Sequence, residues 1–208
     1  MYSCMKALQN SEHTTLIKDH FKYPKSAEYL MKIIIIIQPI SFELTAELSI
    51  SLERQLSKDF DALVRILPSI KDTLLPLDSF DKNRGQWKSN NILQWILDRK
   101  KTDGSVKILA ICDFDAYSNH LNFVFGQATV DGRASAIYLP RLRQEFYGLK
   151  TNDSLFYQRI VKEAVHELGH AFGLSHCNKL TCVMHFSNSL RDTDIKENNF
   201  CNNCRTRL

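Results

Sequence analysis

The chain has 208 residues, enough for one domain with a sizeable apolar core and no need of disulfide staples. Hydrophobic residues make up 44% and charged residues 24%, near soluble averages, and no apolar run approaches the ~18 residues of a membrane-spanning helix. The net charge is +4 with Lys and Arg dispersed instead of striped, which argues against nucleic acid as a partner.

Residues 1–30 mix polar and charged types with little apolar periodicity and read as an N-terminal appendage, either a disordered extension or the product of a start codon assigned too early. A domain is expected over 31–208, divided into an upper α/β part (31–173) and a C-terminal part (174–208). The isoleucine run Ile33–Ile37 follows thirty residues of mixed polarity, and no small-residue cleavage site comes after it. It reads as a buried strand and not as a leader, so a cytoplasmic location is expected.

From there the pattern predicts a strand (32–37), an amphipathic helix (42–58) and a strand (62–67). A loop with Pro68 and Pro76, a helix (89–100) and a strand (106–112) follow. In the first helix Leu44, Leu48, Ile50, Leu52 and Leu56 are expected to form the stripe that covers the sheet. Leu121–Val130 and Ala134–Leu139 read as two further strands joined at Asp131-Gly132, partly antiparallel. A long helix over 152–172 then carries Leu155, Ile160, Val161, Ala164 and Val165 into the core. The fold class expected is mixed α/β: a twisted sheet of about five strands, with the long helix ending at the functional residues.

That ending is His166-Glu167-Leu168-Gly169-His170-Ala171-Phe172-Gly173-Leu174-Ser175-His176. His166 and His170, four apart, share one helix face, and two imidazoles on adjacent turns suit Zn2+. Glu167 points aside from them, in place for a general base. Gly173 can take φ > 0 and end the helix, letting the chain reverse so that His176 supplies a third ligand. Three protein ligands leave one coordination position open, as in catalytic zinc sites. The chemistry this supports is Glu-assisted attack of a zinc-bound water on an amide.

Cys177-x4-Cys182 and Cys201-x2-Cys204 form two pairs with ligand spacing, predicting a closed, structural four-cysteine zinc site. Free thiols, disulfides and a zinc-ribbon module are the alternatives; acidic Asp192, Asp194 and Glu197 between the pairs weigh against the last. Asp113 and Asp115 after the strand ending at Cys112 are read as turn formers before ligand contacts. His185 is a weak oxyanion candidate, and His13, His20 and His120 have no partner spacing.

A third His three residues after Gly173, with a Met following, resembles the metzincin signature. A Cys directly after the third His, another five on, Met184 two beyond and a terminal Cys-x-x-Cys together resemble the archaemetzincins, over Met31 to Cys204. Sixteen residues separate Met184 from Cys201, about one fewer than in the family pattern, a change a loop absorbs. The resemblance implies a zincin fold with an antiparallel edge strand and a C-terminal part stapled by zinc. It makes Met184 the Met-turn residue under the histidines. It also makes Asn122–Ala128 the segment above the zinc, with Phe123, Phe125 and Gly126 as substrate contacts; from its apolar content alone that segment reads equally well as a buried strand.

The expectation is a metzincin-type zinc metallopeptidase with two Zn2+ per chain, acting as a monomer on short or restricted peptides. Its partner is a peptide or protein substrate, with neither nucleic acid nor membrane. The alternative is a zinc-binding protein of the same fold that binds a peptide or protein with little turnover, although Glu167 has no use in that reading.

Overall fold

Five consecutive isoleucines leave no polar face, so the segment they occupy has to be covered on both sides. The computed structural model describes residues 33–99, 104–118 and 121–208. It places all of that run but Ile33 in the strand β1 (Ile34–Ile40), followed by α1 (Ala46–Phe60), β2 (Leu63–Ile66), β3 (Phe80–Asp81), β4 (Gln86–Lys88) and α2 (Ser89–Arg99). Next come β5 (Val106–Cys112), β6 (Ala116–Tyr117), β7 (Gly126–Ala128), β8 (Ala134–Tyr138), α3 (Asp153–Ala171), α4 (Leu190–Ile195) and α5 (Asn202–Arg205). The expected extension over 1–30, with Cys4, His13 and His20, lies outside the described residues, as does His120.

The main sheet has the order β2-β1-β5-β8-β7, with β7 at one edge. β2, β1, β5 and β8 run parallel, and β7 pairs antiparallel with β8. This is the mixed five-stranded sheet with an antiparallel edge strand that the sequence led us to expect. Alternate side chains serve opposite faces. Ile35, Ile37, Leu109, Ile111 and Ile137 share a core with α1 and α3, while Ile108, Ala110, Ala134 and Ala136 pack with α2. Among the described residues no helix is long and apolar enough to cross a membrane.

Three expectations are corrected. Helix α1 starts after its cap Thr45, whose side chain accepts from the Leu48 N–H at 3.2 Å. Leu44 therefore precedes the helix, and Ile50, two residues from Leu48 and thus on the far side, is 63% exposed. The stripe is Leu48, Leu52 and Leu56, all fully buried. Of Leu121–Val130, only Gly126–Ala128 is strand. Upstream, the Asn122 carbonyl accepts from the Arg84 and Gln86 side chains and the Val124 N–H donates to Ala116, so these groups leave the β8 ladder. The region read as a loop around Pro76 contributes β3 and β4, which join β6 in a small second sheet. Strands of two or three residues are too short to display a period.

Candidate functional site

Helix α3 carries His166, Glu167 and His170 in its last two turns. Asn152 caps its start, the side-chain oxygen accepting from the Leu155 N–H at 3.0 Å. At the other end Lys107 of β5 donates to the carbonyls of Ala171 (2.9 Å) and Gly132 (2.8 Å), satisfying a terminal carbonyl with a cation. Gly173, at φ 91°, reverses the chain; its N–H reaches the His170 carbonyl and that of Leu174 reaches Gly169, each at 2.9 Å.

The reversal returns His176 to the helix. Its Nε2 lies 3.2 Å from His170 Nε2, and the same distance separates His170 from His166. His166 Nδ1 is 2.7 Å from the Val183 carbonyl and His170 Nδ1 is 2.7 Å from that of Leu174. A carbonyl only accepts, so these Nδ1 atoms carry the protons and the two Nε2 lone pairs face each other. Burial pulls the basicity of all three imidazoles down, that of His176 to about 4, so they are neutral at pH 7. Converging lone pairs repel unless a cation lies between them. Ligand nitrogens ~2.0–2.1 Å from one tetrahedral zinc sit about 3.3 Å apart, which the 3.2 Å separations match.

Glu167 is buried against β7. A Cβ placed on Gly126 would lie 2.5 Å from Glu167 Cγ and Oε1, so the carboxylate reaches its position only because residue 126 has no side chain. Burial first, then the Glu163 carboxylate, push the Glu167 carboxyl well above the usual range, with Lys196 opposing. Met184 is fully buried beneath the helix, its Sδ 2.5 Å from where a Cβ on Gly169 would stand. A cleft of about 590 Å³ opens over the histidines and Glu167, with Phe123, Phe125 and Gly126 on its other wall. Phe123 is half-buried, while Phe125 is buried in the core with its ring edge-on to Phe123 at 5.2 Å.

The four cysteines also come together. Cys177 Sγ is 3.8 Å from Cys201 Sγ, and Cys182 Sγ is 3.8 Å from Cys204 Sγ. Thiolates ~2.3 Å from one tetrahedral zinc are separated by about 3.8 Å, so this donor set fits too. His185 is turned from the cleft, its Nδ1 2.9 Å from the Cys177 carbonyl, and Phe186 beside His176 lines the cleft in its stead. Asp113 and Asp115 form bidentate ion pairs with Arg143 and Arg141, tying the ends of β5 and β8 together.

Comparison with known proteins identifies the family. The sequence profile of peptidase family M54 matches residues 78–208. The chain belongs to peptidase family M54. Archaemetzincin from Methanocaldococcus jannaschii is 38% identical over 84% of this chain and 92% of its own length. That of Thermococcus kodakarensis is 42% identical over 67% and 75%. The crystal structure of archaemetzincin from Methanopyrus kandleri superposes with a TM-score of 0.73 at 31% identity, covering 86% of this chain and 94% of that one. The malonate complex of the Archaeoglobus fulgidus protein gives 0.68 at 33%, covering 84% and 99%. As a member of this family the chain is a zinc metallopeptidase, and its histidine group and its cysteine group are each arranged so that they could hold a metal ion.

Sequence reasoning passed over three features of this M54 site. Glu163 shares the cleft, and its place four residues before Glu167 was a usable signal. Lys196 and Lys107 carried no signal, because each approaches α3 through tertiary structure alone.

Proposed function

We propose that this chain hydrolyses peptide bonds with Glu167 as general base and His166, His170 and His176 as the ligands of a catalytic zinc. We further propose that a second zinc, on Cys177, Cys182, Cys201 and Cys204, is structural. The observation that carries the reading is the convergence of three Nε2 atoms beside a buried carboxylate in an open cleft. When bound, zinc supplies Lewis acidity, lowering the pKa of water and polarising the scissile carbonyl. Glu167 takes a proton from the attacking water and delivers it to the departing amine; burial makes it a stronger base than an exposed carboxylate.

Substrate enters along β7, whose outer edge has no partner strand among the described residues and offers main-chain groups to an extended peptide. Gln127 Oε1 and Ser187 Oγ, buried and without a hydrogen-bond partner among the described residues, belong to side chains that line the same cleft. We take the substrate to be a short peptide or an unstructured segment and the enzyme to act as a monomer, with neither nucleic acid nor membrane as partner. A four-cysteine zinc site, which needs thiolates and not disulfides, suits the cytoplasm.

Digestion of a peptide library by wild type and Glu167→Gln tests the reading. The variant should keep its zinc and lose about 10²–10⁴-fold in rate. Equal rates would remove Glu167 from its role, and a zinc-loaded wild type that cleaves nothing would favour peptide binding without turnover.

A further inference from the structure

Glu167 has a neighbour of its own kind that the hydrolytic reading leaves unused. Glu163 lies one turn earlier on α3, lines the same cleft and is 2% exposed. Carboxylates four residues apart on one helix face repel, more so where water is excluded. Glu163 is also three residues ahead of His166, the spacing at which helical metal sites draw a carboxylate and an imidazole onto one ion. Left free, it would compete as a second base and as a fourth metal ligand.

It is held instead. Glu163 Oε1 accepts from Lys196 Nζ at 3.0 Å and from Thr193 Oγ1 at 3.2 Å, and the ion-paired side chains are 3% and 0% exposed. The segment that delivers Lys196 is anchored along the same stripe of α3. Arg159 forms a bidentate pair with Asp194, both bonds 2.7 Å, and Lys162 donates to the carbonyls of Thr193 (3.1 Å) and Asp194 (3.0 Å). A fully buried ion pair adds little stability over apolar residues of the same volume. Its place one turn from the general base calls for another role.

We infer that Lys196 is a positioning residue: its buried ammonium holds the Glu163 carboxylate away from Glu167 and the three histidines, so that the cleft presents one free carboxylate and the metal keeps an open position. This rests on the reading of the three histidines as the catalytic zinc site.

Three forms of the full chain decide it: wild type, Lys196→Met, and the double variant Glu163→Gln with Lys196→Met. Releasing Glu163 alone should lower kcat about 100-fold with KM within about twofold, and tighten zinc at the histidine site about tenfold in competition with a chelator. The double variant has no carboxylate to release, so kcat should recover to within about fivefold of wild type and zinc affinity should return. If Lys196→Met fails to fold while the double variant folds and turns over, the unpaired carboxylate is still the cause and the inference stands. A single variant that behaves as wild type, a double variant no better than the single, or failure of both to fold would overturn it. Zinc affinity is read without substrate, so a wild type that binds zinc and cleaves nothing removes the hydrolytic reading and leaves this test decisive.

Discussion

At Gly126 a missing side chain sets the place of Glu167, the general base proposed above. A methyl group there would stand 2.5 Å from Glu167 Cγ and Oε1 and 2.7 Å from Cδ, inside any tolerable contact. Gly126→Ala should therefore act on Glu167 before it acts on the fold: the edge strand loses no hydrogen bond, and the carboxylate, free to rotate, moves away. Peptidase kcat is expected to fall about 100-fold, because misplacement by about 1 Å costs that much. Zinc content should be unchanged and the denaturation midpoint should correspond to a loss of no more than about 1–3 kcal/mol. A variant that loses zinc in proportion to its activity would show that Gly126 supports the metal site and not the base. The sequence pointed to this glycine as a peptide contact. Its closeness to Glu167 was illegible there, because forty-one positions separate two residues that only the packing of α3 on β7 brings together.

Helix α3 is the element on which the site depends, and both of its ends are fixed. Its limits were readable to within a residue, since Asn152 and Gly173 punctuate a long apolar period. The Lys107 contact was not readable, because it comes from a strand across the sheet. That ammonium binds the carbonyls of Ala171 and Gly132 and lies 5.0 Å from the centroid of the Phe172 ring. Lys107→Met keeps most of the volume and deletes the donor, leaving a terminal carbonyl unpaired just below the turn that presents His176. A loss of about 1–2 kcal/mol in denaturant unfolding is expected, with zinc at the histidine site stripped by lower chelator concentrations than in wild type. Unchanged stability would mean that water replaces the ammonium at this helix end. The same contrast explains why Leu121–Val130 was read as too long a strand: apolar content is visible along a sequence, whereas the diversion of Asn122 and Val124 to partners outside the sheet is not.

Across the whole molecule, the C-terminal part contributes short helices and a cysteine cluster yet supplies the third histidine, the methionine floor and the Lys196 that restrains Glu163. Cys177 adjoins His176, and its N–H donates to the Met184 carbonyl at 2.9 Å, so the cysteine cluster and the histidine cluster share one turn. The pairs Cys177–Cys201 and Cys182–Cys204 close that turn onto the chain end, which Arg205 ties to α1 through Asp59 at 2.6 Å. On the two-site reading proposed above, metal at the four cysteines would thereby be linked to metal at the histidines. Cys201→Ser should abolish the chelator-resistant zinc. Structural zinc contributes ~10–16 kcal/mol to small zinc domains, and losing even a third of that would lower Tm by roughly 10–20 °C in a chain of this size. Limited proteolysis should then cut between residues 177 and 204 while the sheet survives. The histidine site should release its zinc more readily, although no ligand of that ion has been changed. Retention of normal affinity at the histidines in a chain cut within that segment would show the two sites to be independent, and would leave the adjacency of His176 and Cys177 without a mechanical role.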